Sequence, residues 1–249
     1  MKRVLIPLLL GCLAAPLALA ASVEDALGKP ARLESDVARD ARSRPDVTLP
    51  LLALEPGDRV ADIFAGGGYY SELIATVVGD EGEVLLVNNA AYKAFASKGL
   101  AERTEGRDIG SVTFHDREAE NLDLGDNSLD AALIIMSYHD LYHVDEKNGW
   151  RAIDAADFLG QIHRALKPGG RFLIVDHYAA PGSGSASAQD LHRIDVEFAE
   201  ADIISHGFRL AGSSDALRNP DDDYAVIVFD PAVRGKTDRF ILVFEKLAE

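Results

Sequence analysis

Two stretches of this chain hold residues whose types and spacing suit chemistry. The first is Val60-Ala61-Asp62-Ile63-Phe64-Ala65-Gly66-Gly67-Gly68-Tyr69-Tyr70-Ser71-Glu72-Leu73. It reads as a buried strand, a glycine turn and the start of an amphipathic helix. Glycines at such a turn permit positive φ and leave no Cβ, so a bulky ligand can lie against the backbone. The helix that follows offers its free N–H groups to polar or anionic atoms. Asp62 at the strand end can hold the turn or accept hydrogen bonds from a cationic or hydroxylated ligand. Asp62 and Ala65 to Gly68 are therefore candidates for holding a nucleotide-type cofactor, unless the stretch is an ordinary glycine-rich turn of another α/β protein.

The second stretch is Ser137-Tyr138-His139-Asp140-Leu141-Tyr142-His143. If it is helical, His139 and His143 share one face, a turn apart. Histidine titrates near neutral pH, which suits a base that removes a proton from a hydroxyl or amine. The candidate catalytic residues are accordingly His139, Asp140 and His143. A metal site would join the two histidines to Asp140, Asp176 or His177, but spacing fixes no third ligand, and no residue is assigned to a metal. A purely structural role, with aromatic and histidine side chains lining a cleft and capping helix ends, also stays open.

The elements that must position these residues alternate between strand and helix from Leu51 onward. Strands are expected at about 59–64, 83–87, 111–115 and 131–136, with helices at about 69–78, 92–103 and 152–166. The run Ala131 to Met136 is continuously apolar, as in a strand buried on both faces. Leu166-Lys167-Pro168-Gly169-Gly170 reads as a turn into a fifth strand, because Pro168 cannot continue the preceding helix. Pro181-Gly182-Ser183-Gly184-Ser185 reads as a flexible hinge before one helix over 189–205, ended by Gly207. Strands at 208–211 and 239–244 complete the pattern. Between them Asp221-Asp222-Asp223 reads as a solvated charged turn rather than a cation site.

The fingerprint Gly-x-Gly-x-x-Gly of dinucleotide binding fails here at Ser71. Asp-x-Phe-Ala-Gly-x-Gly instead resembles motif I of the class I S-adenosylmethionine (SAM) dependent methyltransferases, with Phe64 where many members carry a first glycine. Leu-Lys-Pro-Gly-Gly before an apolar strand is a second resemblance. A group of bacterial proteins labelled predicted methyltransferases is similar in its Tyr-His-Asp-x-Tyr-His and Gly-Lys-Thr-Asp-Arg-Phe segments, present here at 138–143 and 235–240. The resemblance covers roughly 51–208. It implies a Rossmann-like three-layer α/β/α sandwich, a seven-stranded mostly parallel sheet of order 3-2-1-4-5-7-6, and SAM as cofactor. By the same resemblance Asn88 stands where an acid usually grips the ribose hydroxyls, and Glu118 where an acid caps the adenine amine. Ser137 and the residues after it should then face the transferred methyl group, with Tyr69, Tyr70, Tyr138 and Tyr142 available to line the site. Methyl transfer to a small molecule or a protein side chain, at oxygen or nitrogen, is the activity expected. The alternatives are a non-catalytic small-ligand-binding protein on the same fold, and a cation-dependent enzyme using His139, Asp140 and His143.

Composition narrows the partners. There are 25 basic and 41 acidic side chains, a net charge of −16, which repels phosphate backbones and anionic headgroups. A small-molecule substrate is expected, and no nucleic acid. Met1-Lys2-Arg3, the apolar run to Leu19 and the small-residue site Ala18-Leu19-Ala20 form a secretory signal pattern, so export to the periplasm is expected, with no integral membrane segment after cleavage. A lipid anchor at Cys12 is the weaker reading. Cys12 is the only cysteine, so a chain cleaved after Ala20 has no disulfide and no thiolate chemistry. Residues 21–50 form an arm of short helices, either over the cofactor cleft or solvated, and 51–249 the main domain.

Overall fold

The structure, a computed structural model, describes residues 21–247. The expected signal segment and the cysteine lie outside them. Seven strands, β1 (Arg59–Ile63), β2 (Glu83–Asn88), β3 (Val112–Asp116), β4 (Leu129–Ile135), β5 (Leu166–His177), β6 (Phe208–Ser214) and β7 (Arg239–Lys246), form one sheet. Its order is β3-β2-β1-β4-β5-β7-β6, as the resemblance implied. Neighbours run parallel except β7, which is antiparallel to both β5 and β6. β1 and β4 are apolar on both sides because both faces of the sheet are covered. On one face α7 (Ala155–Ala165) packs Phe158, Leu159 and Ile162 against Ile63, Ile134 and Phe172. On the other, α4 (Tyr69–Val78) packs Leu73, Ile74 and Val78 against Val60, Leu133 and Val243.

The arm is part of this second layer rather than solvated. Its helices are α1 (Val23–Leu27), α2 (Glu34–Ser43) and α3 (Pro45–Thr48). Ser22 and Asp25 form a reciprocal cap on α1, and Ala26 and Leu49 are buried with the α4 side chains. Arg32 grips both oxygens of Asp40 at 2.6 Å, and Asp40 also accepts the Tyr69 hydroxyl at 2.6 Å.

Four expectations need correction. The helix after β2 is broken at Ala96 into α5 (Ala90–Phe95) and α6 (Ser97–Thr104). The helix expected over 189–205 is likewise two pieces, α8 (Ala188–Leu191) and α9 (Val196–Ser205). His192 leaves α8 in the left-handed region at φ +53°, and Asp195 restarts the helix by accepting from the Glu197 amide. Asp195 also accepts from the amides of Gly182 and Gly184, which pins the stretch expected to be a hinge. Finally, Leu166 to Gly170 is not a separate turn: β5 already begins at Leu166 and pairs with β4 across a register shift between Leu129 and Ala131.

Candidate active site

The glycine turn follows β1 at the carboxyl edge of the sheet. Gly66 and Gly68 have φ +57° and +76°. A Cβ on Gly68 would lie 2.7 Å from the Leu86 side chain, so only glycine fits there. A Cβ on Gly66 would meet only Ala96 Cβ, at 4.0 Å, so the space over that residue is open. The Asn88 amide accepts from Gly66 N at 3.0 Å and donates to Gly66 O at 2.9 Å, pairing with the turn much as a strand would. A carboxylate could accept there but not donate. Gly67 is held from the other side, where Arg103 of α6 donates to its carbonyl.

Asp62 is buried and does not face the open side. It accepts the Ser71 hydroxyl at 2.6 Å, so it ties β1 to the first turn of α4. Burial raises its carboxyl to about 6, only partly offset by the Ser71 hydroxyl and the charges of Arg39 and Arg103. Ala65 donates its amide to Val87 O and accepts from Gly68 N. Phe64 adopts φ +55°, rare outside glycine. Its ring turns into the core, stacked on Tyr92 at 4.6 Å and Phe158 at 5.3 Å. Glu118 is exposed at the end of β3, accepting from Ala90 N and pairing with Arg151. Ser137, beyond β4, is buried and donates to Ile135 O.

The segment after β4 is a single 3-10 turn, His139–Tyr142, with His143 extended behind it. His139 is buried, and Asp176 at the end of β5 receives both its backbone N–H (2.8 Å) and its Nδ1 (2.7 Å). His139 Nε2 lies 3.2 Å from His192 Nδ1 and 3.3 Å from Asp140 Oδ1, and His192 Nδ1 is 3.4 Å from that same oxygen. The Tyr92 hydroxyl donates to the other Asp140 oxygen. Burial by itself would lower the His139 pKa; the carboxylates of Asp176 and Asp140 outweigh it and push it up to about 10. His177 goes the other way, lowered by burial and then by the charges of His139, Arg239 and Arg193.

His143 is half-buried. Its Nδ1 lies 3.2 Å from the Gln189 carbonyl, so Nδ1 carries the proton and Nε2 the lone pair. Its ring is 4.4 Å from that of His192 and 6.4 Å from Trp150. Trp150 in turn meets Tyr92 and Phe95 edge-on, while the exposed Phe229 packs on His192. The four tyrosines named above play other parts. Tyr138 and Tyr142 both donate to Asp202 on α9, Tyr69 donates to Asp40, and Tyr70 donates to Ser43 O.

Tyr92 and Trp150 carry no pattern that marks them in the sequence. His192 had one weak signal, the Asp195 that starts a new helix just after it.

The open glycine turn, the Asn88 amide beside it and a polar cluster beyond β4 and β5 define a class I methyltransferase arrangement, with ligands received at the carboxyl ends of the strands. A sequence profile described as a methyltransferase domain matches residues 54–210, and the chain belongs to that family. A ubiquinone/menaquinone biosynthesis C-methyltransferase from Teredinibacter turnerae is 32% identical over 151 residues, 60% of this chain and 55% of that one. Its counterpart from Ectopseudomonas mendocina is 32% identical over 142 residues, covering 55% and 48%. The chain thus spans about half the length of the curated relatives it matches. A SAM-dependent methyltransferase from Aquifex aeolicus has the same fold, with TM-score 0.59, 17% identity and coverage of 84% and 93%. One from Mesorhizobium loti gives 0.57, 16%, 83% and 99%. The [4+2]-cyclase SpnF gives 0.56 at 19% identity, covering 84% and 81%, so the fold alone does not set the reaction.

SAM is the cofactor of this family, and the residues present fit it. Gly66 leaves room for a ligand against the backbone, and Gly68 brings no capping side chain to the start of α4. Asn88 lies beside the turn at the end of β2, and Glu118, just beyond β3, accepts from the Ala90 amide at the start of α5. Among the described residues no helix is long and apolar enough to cross a membrane.

Proposed function

We propose that the chain methylates an apolar small molecule at a hydroxyl or amine, with the acceptor seated beside Tyr92, Asp140 and His143. The observation that carries this is Tyr92, which spans the two halves of the site: its ring stacks on Phe64 at the glycine turn and its hydroxyl donates to Asp140. SAM supplies an electrophilic methyl group on a sulfonium. The chain's share is alignment of the acceptor and removal of its proton. Trp150, Phe95 and Phe229 form an apolar rim around the histidines, suited to a hydrophobic acceptor body. His143 is the better base. His139 is buried with Nδ1 held by Asp176 and Nε2 turned to His192 and Asp140, whereas the Nε2 lone pair of half-buried His143 is free to accept a proton. The relatives are named as C-methyltransferases of ubiquinone/menaquinone biosynthesis, and a small-molecule acceptor, though not the atom methylated, is in keeping with that name. Export rests on the N-terminal sequence pattern, and we propose it with the periplasm as the destination; cell fractionation reads it directly.

Calorimetric titration of the purified protein with SAM and with its demethylated product tests the cofactor site. A micromolar Kd, about −8 kcal/mol, abolished by Gly66→Asp, is expected. No heat from either ligand overturns the enzymatic reading and leaves a binding role for this scaffold. Once an acceptor turns over, His143→Ala should lower kcat by about 100-fold or more with SAM affinity intact.

A further inference from the structure

We propose that His139 Nε2, Asp140 Oδ1 and His192 Nδ1 bind one first-row divalent metal ion of the zinc type, leaving a fourth position open. The three atoms form a nearly equilateral triangle with sides of 3.2, 3.3 and 3.4 Å. Ligands about 2.0–2.1 Å from a tetrahedral ion stand about 3.3–3.4 Å apart, so an ion just above the plane meets all three at bonding distance with no movement of the chain.

A second observation points to the same place. Asp140 is 8% exposed, and its Oδ1 has no aligned hydrogen-bond donor although two imidazole nitrogens lie within 3.4 Å. A buried carboxylate oxygen left this way is costly. A cation in the triangle satisfies it. The surroundings are those of a metal-binding histidine as well. Asp176 holds the Nδ1 proton of His139, so an ion entering the triangle has only the Nε2 proton to displace before it meets that nitrogen. Tyr92 occupies the other Asp140 oxygen, so Oδ1 alone is offered.

Two imidazoles and one carboxylate select zinc-like ions over magnesium or calcium, which prefer oxygen ligands alone. Three protein ligands are also what a catalytic, rather than structural, zinc site provides. Among the described residues this is the group of His and Asp side chains whose ligand atoms converge. Resting on the proposed function, the open position would take the acceptor oxygen and favour its deprotonated form.

The test uses tag-free protein, stripped with chelator, dialysed against zinc chloride and assayed for bound metal; it needs neither SAM nor an acceptor, so its failure leaves the methyltransferase reading untouched. One zinc per chain is expected. His192→Asn is the informative variant, since His192 is not fully buried and asparagine tolerates its left-handed backbone. It should lower affinity by at least about 100-fold, while His206→Ala retains the metal. Asp176→Asn, which removes no ligand, should weaken binding about 10- to 100-fold. Cobalt substitution should give the intense visible absorption of a tetrahedral site in the wild type and in His206→Ala, and not in His192→Asn. Far-ultraviolet circular dichroism of each variant separates lost binding from lost fold. No retained zinc in folded wild-type protein, or equal retention by folded His192→Asn, overturns the proposal.

Discussion

At the scale of single residues, Asp62 shows a cost built into the cofactor turn. Its ionised form is buried beside Ser71 of α4, within the fields of Arg39 from α2, Arg103 from α6 and the Tyr70 hydroxyl. Its folded pKa, about 6, lies above the unfolded value of 3.8. The folded state therefore binds this proton more tightly, and the stability it contributes is fully present below about pH 4 and lost as pH rises through about 6. Above that, keeping the carboxylate charged costs about 3 kcal/mol. Asp62→Asn keeps an acceptor for Ser71 and cannot ionise. Urea unfolding should show the variant gaining on wild type between pH 4 and pH 7.5, by up to about 3 kcal/mol. A constant difference across that range would show that the charge is not the source of the cost.

At the scale of elements, the arm and α6 hold the glycine turn from outside. Arg103 reaches Asp36 of α2 at 2.8 Å as well as Glu72 of α4 and the Gly67 carbonyl, and Arg107 bonds Glu72 at 2.7 Å and Ala31 O at 2.7 Å. Asp36→Ala leaves Arg103 its other partners, so the expected loss is about 1–3 kcal/mol, read by thermal melting, with faster proteolysis of the arm and weaker SAM binding. Unchanged SAM affinity in a folded variant would separate the arm from the site. Most of the sheet was legible in the sequence because its central strands are short apolar runs and turn residues precede them, as Gly79 and Gly82 do β2. The helix over 69–78 was legible to the residue. The breaks at Ala96 and at His192 were not, since both halves of each helix keep apolar spacing and only the cap at Asp195 marks the second break. The glycine turn was legible by local pattern. The histidine triangle was not, because its third corner lies 53 residues beyond His139 and is brought in by that break.

At the scale of the molecule, the segment between β6 and β7 is fastened by charge placed inside the protein. Arg193 and Asp222 are both fully buried and paired at 2.9 and 3.0 Å, and Asp222 also accepts the Asp238 amide at 2.7 Å. The expected solvated Asp221-Asp222-Asp223 turn is thus wrong at its middle residue. Composition could not reveal it, because a buried aspartate is told from an exposed one only by a partner distant in sequence. Arg193→Met should cost about 3–5 kcal/mol by stranding the Asp222 charge, and the double change with Asp222→Leu should recover much of it. Equilibrium denaturation of the pair of variants decides this: a double variant as unstable as the single would show that the ion pair is not what fastens the segment. The position of β7 has a further consequence, for the order of events as the chain is made. It is the last of these seven strands in sequence, yet it sits between β5 and β6. Until residues 239–246 leave the ribosome, β5 has a bare edge and β6 has no neighbour to join. The sheet therefore closes late on this side, where a segment distant in sequence has to slot between two strands already made.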